Sequence, residues 1–494
     1  LITIRVCDGL SCCMLGAKEL FTAIFREVES KPSISVVNAP CVGRCEQAPI
    51  AVVQRNPIPY ARPDDVIQAI QSRSIEHPAA MPDCTAFDPV KVATVENGQI
   101  KVEEINNPDW VGLDAYMSFG GYSLLGSIRD GSRSQASAIA ELKESNLRGL
   151  GGAGFVAGQK WEIVSSFDGP RYLTVNLDEG EPGTFKDRNY LERDPHRFLE
   201  GLLIAADIID AEKSYIYIRD EYSGGLAILS QAIDELIEAN LVGPDQIEIR
   251  RGAGAYICGE ESALIESIEG KRGEPRQRPP YVAEKGLFGR PTLVHNFETL
   301  YWVRDILERG ASWFAGFGRQ GRKGLRSFSV SGRVKNPGVK IAPAGISLLE
   351  LVEEFCGGML DGHDLYGYLP GGASGGILPS RLADIPLDFD TLQEHGCFIG
   401  SAAVVVLSQH DTARHAALNA MEFFVDESCG QCSPCRLGTH HAARLMRESV
   451  WDIRALDSLS HVLKDASICG LGQAAPNVID CVRNYFPAEI KDHD

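Results

Sequence analysis

"SYIYIRDEYSGGLAILSQAIDELIEAN", residues 214–240, decides how this chain folds. Tyr215 to Ile218 are aromatic and β-branched, as a strand requires, and from Gly225 onward Leu226, Leu229, Ile233 and Leu236 recur at helical spacing. A strand that runs into an amphipathic helix is the unit of a layered α/β domain. The same alternation surrounds it: "SQASAIAELKES" (134–145) reads as helix, and "RYLTVN" (171–176) and "QIEIRRG" (246–252) read as strands.

Working outward, residues 1–80 read as a smaller α/β unit. "LITIRV", "SISVV" and "PIAVV" are its strands, and "AKELFTAIFREV" is a helix with Leu20, Phe21, Ile24, Phe25 and Val28 on one face. Residues 81–115 have the proline and polar content of a linker, and 116–325 form the layered α/β domain. In 326–410, short strands ("SFSVSGRV", "AAVVVLS") and many glycines surround the helix "SLLELVEEF", and 411–494 is mostly helical.

At 494 residues the chain is long enough for three or four domains of about 150 residues each. A net charge of -19 argues against nucleic acid or an anionic membrane as partner. The longest apolar runs, "SAAVVVL" and "GLLIAADII", are too short to span a bilayer. The chain opens on Leu1 rather than methionine, which points to a segment upstream. Of fourteen cysteines, eight fall into two spaced clusters, a pattern of metal ligation in a reducing, cytoplasmic compartment rather than of a disulfide scaffold.

The first cluster is Cys7 and Cys12 in "CDGLSC" with Cys41 and Cys45 in "CVGRC", each pair following a strand, with Cys13 as a rival ligand. By spacing, a [2Fe-2S] cluster, zinc and structural thiols all remain open. The second is "ESCGQCSPCRLG" (427–438), where Cys429, Cys432 and Cys435 need a fourth thiolate. Three cysteines at this spacing with a distant fourth favour a [4Fe-4S] cluster over zinc. Cys469, in the glycine-rich "SICGLGQ", is the expected fourth ligand; Cys481, on an apolar helical face, is expected in the core.

Between the clusters, "RGLGGAGFVAGQKW" (148–161) matches G-x-G-x-x-G but follows a helix rather than a strand, so it is no dinucleotide fingerprint. Its free N–H groups and Lys160 suit a flavin or nucleotide phosphate, unless it is only a tight turn. Asp178, Glu179 and Glu181 sit at a strand end among glycines, where acids hold ribose or amide groups or form an ordinary surface turn. Glu260 and Glu261 open a helix, a place that suits carboxylates even without a ligand. Cys258 reads as a buried core thiol.

Together these stretches resemble the NADH-binding flavoprotein of respiratory complex I and its soluble relatives. "GAGAYICGEESALIESIEGKRGEPR" (252–276) and "ESCGQCSPCRLG" look like its two signatures, and residues 1–80 look like its thioredoxin-like [2Fe-2S] partner fused in front. The finer likeness is to β subunits of NAD-dependent, molybdenum- or tungsten-containing formate dehydrogenases, through "ITIRVCDGLSC", "YLPGGASGGILP", "IPLDFDTL", "GCFIGSAAVVVLS" and "DASICGLGQAAPN". The resemblance implies a multidomain α/β protein: a thioredoxin-like domain, a Rossmann-like FMN domain, a β-grasp-like domain and a C-terminal helical bundle. It implies that Gly149, Gly151, Gly152, Lys160, Asn176, Asp178, Glu179, Tyr256, Gly259 and Glu260 surround FMN, with Asn296 and Thr299 at its phosphate. Phe155, Glu181, Glu261 and Tyr281 would receive NAD, with Glu181 nearest the chemistry. His295 stands where the family usually has asparagine, and Ile163 where some members have an aromatic ring.

The function implied is that of a diaphorase: hydride exchange between nicotinamide and FMN, and single-electron exchange with the [4Fe-4S] and [2Fe-2S] clusters. The implied partner is a pterin-containing formate dehydrogenase α subunit with further iron-sulfur clusters. No pterin-binding segment is recognisable here, so this chain alone is not expected to oxidise formate. The alternatives are the NADH-oxidising subunit of an NAD-linked hydrogenase or of complex I and, from another class, a zinc-stabilised binding scaffold.

Overall fold

A computed structural model describes residues 1–76, 90–96, 99–105 and 111–491. The amino-terminal unit is a four-stranded sheet in the order Ile34–Ala39, Ile2–Cys7, Ala51–Val53, Asn56–Ile58, with the first pair parallel and the others antiparallel. Helices Ala17–Val28 and Pro63–Gln71 cover it. Leu20, Ile24 and Val28 are buried as expected, but Phe25 is exposed. Residues 21 and 25 lie about 100° around the helix from that stripe, and the two phenylalanines stack on each other at its edge. Within the stretch expected as linker, Val90–Glu96 and Gln99–Ile105 pair as an antiparallel hairpin.

The central sheet is wholly parallel: Thr292–Asn296, Arg171–Leu177, Ala211–Ile218, Ile247–Arg251. Helices Pro195–Ile208 and Ser223–Glu238 bury their apolar residues in its core, so Leu173, Val175, Ile216 and Ile218 are fully buried. The third sheet is mixed, in the order Gly338–Pro343, Leu325–Gly332, Ala403–Ser408, Leu365–Leu369, Leu378–Pro379. The helix expected over 347–355 is one α turn, Leu348–Glu350, that widens into a π turn over Leu351–Phe355. The carboxy-terminal region is helical: Ala413–Asp426, Ser433–Arg447, Ile453–Ala466, Gly470–Ala474 and Asn477–Tyr485.

One apolar core runs continuously through the central sheet, the mixed sheet and these helices. The amino-terminal unit keeps its own core, into which Phe185 and Val339 intrude from the rest of the chain. The chain is therefore a mixed α/β multidomain protein with a thioredoxin-like unit in front and a helical region behind. Among the described residues, no helix is long and apolar enough to cross a membrane.

Candidate flavin and iron-sulfur sites

The glycine loop closes on itself, with the Gly149 N–H donating to the Phe155 carbonyl (2.7 Å) and the Leu150 N–H to Thr299 Oγ1 (2.9 Å). A methyl at Gly151 would come within 3.0 Å of Asn296 Cβ, and Gly152 (φ +126°) faces the Gly400 backbone. The loop thus lies over the N-terminus of helix Phe297–Tyr301, which Asn296 caps by accepting from the Glu298 N–H (3.0 Å). Lys160, in the helix after the loop, pairs with Glu261 (3.2 Å), and Arg278 reaches both Glu261 (3.4 Å) and Glu260. Glu260 caps helix Glu261–Ile268, accepting from the N–H groups of Ser262 and Ala263 (both 3.0 Å). Phe155 and Tyr281 are 48% and 58% exposed.

The three acids after strand Arg171–Leu177 go to three environments. Asp178 is buried, one of its oxygens (Oδ2) meets no donor, and burial pushes its carboxyl up to about 8. Beside it the Asn176 amide donates to the Gly259 carbonyl (2.7 Å) and accepts from the Asp178 N–H (3.1 Å). The Glu179 carboxylate instead turns onto the N–H groups of Asp187 (2.7 Å) and Arg188 (3.1 Å) and the Tyr222 hydroxyl (2.8 Å). Burial and then the Asp187 charge push it up to about 7. The structure does not bring that side chain to the glycine loop. Glu181 is buried and accepts from the Ser374 N–H and hydroxyl (both 2.8 Å) and from the Tyr256 hydroxyl.

Cys7, Cys12, Cys41 and Cys45 are all buried and line one small cavity with Pro182, Gly183 and Phe423. Cys41 and Cys45 touch at 3.2 Å, and the neighbouring Cys12 and Cys41 push the Cys7 thiol well above its ordinary range. Hydrogen bonds from Cys45 and Cys7, aided by the Arg219 charge, hold the Cys41 thiol well below its ordinary range. Cys13 turns away and donates to the Asp8 carbonyl (3.1 Å). At the other site, Cys429, Cys432 and Cys435 lie near Cys469: burial and then the neighbouring cysteines push the Cys435 thiol up to about 11, and burial raises Cys469 against the opposing effect of the Leu471 and Gly472 N–H groups. A methyl at Gly472 would come within 3.0 Å of Cys435 Cβ. Cys481 is elsewhere, buried at 3.5 Å from Cys397.

Among the described residues no three ligand-type side chains close on a single ion. Thiolates that each hold one corner of a multi-iron cluster are compatible with that wider spacing, so the donor sets fit iron-sulfur clusters. The unpartnered Asp178 oxygen, the bare Gly151 and the capped helix end fit a flat, hydrogen-bonding ligand with a phosphate.

Two residues here, Lys186 and Ser374, escaped sequence reading. Lys186, 1% exposed, pairs with Asp187 (2.7 Å) and Glu298 (2.9 Å) beneath Asn296. "TFKDR" reads as a surface turn, and only the fold reveals that the whole turn is interior. Ser374 lies in a glycine tract whose chemistry shows only when Glu181 arrives from nearly two hundred residues away. His295 is buried and accepts the Trp161 indole N–H at Nε2 (2.7 Å), and burial drives its pKa well below the ordinary value. It is a neutral core acceptor. Ile163 lies exposed on the helix Ala157–Ser165.

Three family models match in turn: a thioredoxin-like [2Fe-2S] ferredoxin over residues 2–74, the Nuo51 FMN-binding domain over 142–305, and the NADH-ubiquinone oxidoreductase-F iron-sulfur binding region over 415–493. The chain is 41% identical to an NADH-quinone oxidoreductase subunit of Rhizobium meliloti over 409 residues, 80% of this chain and 97% of that one. It is 42% identical to the mitochondrial NADH dehydrogenase [ubiquinone] flavoprotein 1 of Dictyostelium discoideum over 72% of this chain and 78% of that one. A chain in the crystal structure of an air-oxidized NAD+-reducing [NiFe]-hydrogenase superposes with a TM-score of 0.80 at 30% identity, covering 100% of this chain and 86% of that one. The chain belongs to the family of FMN- and iron-sulfur-binding flavoproteins of the NADH-quinone oxidoreductases, with a thioredoxin-like [2Fe-2S] unit fused ahead of it.

Proposed function

We propose that this chain is the NAD(H)-linked diaphorase subunit of a formate dehydrogenase complex, passing electrons from iron-sulfur clusters through FMN to NAD+. Bound FMN supplies the exchange between a two-electron hydride and single electrons. Gly149, Gly151, Gly152, Lys160, Asn176, Asp178, Tyr256, Gly259 and Glu260 hold it, and Asn296 and Thr299 lie at its phosphate end. Glu179 contributes through its backbone, because its carboxylate is engaged elsewhere. Phe155, Glu181, Glu261 and Tyr281 receive the dinucleotide. Cys429, Cys432, Cys435 and Cys469 hold the [4Fe-4S] cluster, and Cys7, Cys12, Cys41 and Cys45 the [2Fe-2S] cluster.

One observation carries the electron-transfer reading: Tyr256 stands between the two thiol sets. Its hydroxyl donates to Glu181, which immediately precedes the Pro182–Gly183 wall of the first set, and its ring packs on Phe423 (5.0 Å) of that same wall. Its N–H donates to Glu427 (2.8 Å), two residues from Cys429. Tyr256, assigned here to the flavin site, therefore touches the surroundings of both thiol sets, which supports single-electron exchange over short distances.

The formate assignment is supported by likeness in "YLPGGASGGILP" and "GCFIGSAAVVVLS". These stretches meet in the fold, where the Phe398 N–H donates to the Gly375 carbonyl (3.1 Å) beside the Ser374 that holds Glu181. The second reading, a hydrogenase diaphorase, is favoured by the superposition over the whole chain. Purification with the native partners, metal analysis and NAD-coupled assays with formate, hydrogen and quinone separate them. Formate-dependent NAD+ reduction with molybdenum or tungsten present supports the proposal; hydrogen-dependent reduction with nickel overturns it in favour of the second.

A further inference from the structure

Arg219 follows strand Ala211–Ile218 and is 5% exposed at the seam between the amino-terminal unit and the parallel sheet. One guanidinium nitrogen (Nη1) donates to the Glu179 carbonyl (2.9 Å), the other (Nη2) to the Cys41 carbonyl (2.8 Å), and Nε pairs with Glu221 (3.1 Å). The guanidinium also lies over the Tyr222 ring at 5.1 Å, and a methyl at Gly43 would collide with that ring. A single fork thus ties the backbone of the strand-end acids to the backbone of a thiolate in the first cysteine set. Neither flavin binding nor cluster ligation uses it.

We infer that Arg219 is a positioning residue that fixes the [2Fe-2S] unit against the flavin site and holds the reduction potential of its cluster up. The inference rests on the assignment of that cluster to Cys7, Cys12, Cys41 and Cys45. Accepting one electron adds one negative charge to a cluster held by four thiolates. A fixed cation, itself 5% exposed and bonded to the carbonyl of one of those cysteines, stabilises the reduced form more than the oxidised one. Glu221 opposes this from the far edge of the guanidinium, with its side chain 28% exposed. The two residues therefore act on the potential with opposite signs. Lysine at 219 would keep the charge but lose the fork, since an ammonium cannot bridge two carbonyls in fixed planar geometry.

The test is an EPR-monitored redox titration of the purified full-length protein, with the [4Fe-4S] signal as internal reference. Arg219→Gln should shift the [2Fe-2S] one-electron equilibrium about tenfold toward the oxidised form, about 59 mV to lower potential. Arg219→Lys should stay within about threefold of wild type, and Glu221→Gln should move the midpoint upward. The [4Fe-4S] midpoint should not move in any of the three. An unchanged [2Fe-2S] midpoint in Arg219→Gln, or a shift in Arg219→Lys as large as in Arg219→Gln, overturns the inference. If Arg219→Gln fails to retain the cluster, Glu221→Gln decides, because an unmoved or lowered midpoint there is incompatible with the electrostatic role. Absence of any [2Fe-2S] signal in the wild-type protein would instead refute the ligand assignment beneath it.

Discussion

Asp178 follows a buried parallel strand, and one of its oxygens has no donor in the protein. Its folded pKa, about 8, lies above the ordinary 3.8, so folding favours the protonated acid. That contribution is full below the ordinary pKa and is lost as pH rises toward about 8. Flavin-free protein should therefore lose on the order of 5 kcal/mol across that window. Asp178→Asn should flatten the fall of melting temperature with pH, as thermal scans of flavin-stripped protein will reveal; an unaltered slope would mean that another group carries it. Glu181 makes the contrasting case. Ser374 and Tyr256 hold its carboxylate in place, so Glu181→Ala should slow flavin reduction by NADH about a hundredfold through lost alignment. FMN content should be unchanged, and stoichiometric flavin loss in that variant would reassign the residue to flavin binding. The sequence presents Asp178, Glu179 and Glu181 as one acidic group. What sends them apart is alternation past a strand end together with a left-handed backbone at Glu179 (φ +27°), and no pattern of residue types announces that.

Among the elements, those with strong period were legible and those set by tertiary context were not. The strand at 214–218 and the helix after Gly225 were readable because a buried parallel strand is a continuous apolar run and a covering helix has one apolar stripe. The π turn at 351–355 was not, because its residues have ordinary helical spacing and only packing widens it. The cysteines follow the same division. Cys469 stands at the N-terminus of the short Gly470–Ala474 helix, where N–H groups are free to face a thiolate, whereas Cys481 lies within helix Asn477–Tyr485 against Cys397. Cys469→Ser should lose or distort the [4Fe-4S] EPR signal and abolish electron exchange with the partner, while NADH-to-ferricyanide turnover survives. Cys481→Ser should leave that signal intact and cost about 1–3 kcal/mol from a buried hydroxyl. The reverse pattern, with the signal kept in the first variant and lost in the second, would show the ligand to be Cys481.

At the scale of the whole molecule, the seam between the amino-terminal unit and the rest of the chain was the least legible feature. Its partners are charged and polar residues far apart in sequence, each of which reads alone as a solvated surface group. Arg44 pairs with Glu192 (3.1 Å), and Arg188 binds Glu46 and the Gly43 carbonyl (2.9 Å), all largely buried. Ser11 meets Ser331 (2.9 Å), and the Asn419 amide reaches the Asp8 carbonyl (2.9 Å). The unit nonetheless has its own core, while the parallel sheet and the helical region share another. Deleting residues 1–76 should therefore remove two irons per chain, the content of one [2Fe-2S] cluster, and leave NADH-to-ferricyanide activity largely in place. The deletion also strips Arg188, Glu192 and Arg219 of partners across the seam and opens Phe185, 1% exposed in the intact chain, to water. The truncated protein should accordingly melt several degrees lower than the full chain. Iron analysis, ferricyanide assay and calorimetry on the same preparation separate the outcomes: unchanged iron contradicts the cluster assignment, and lost flavin activity with intact FMN means that the seam shapes the nicotinamide site itself.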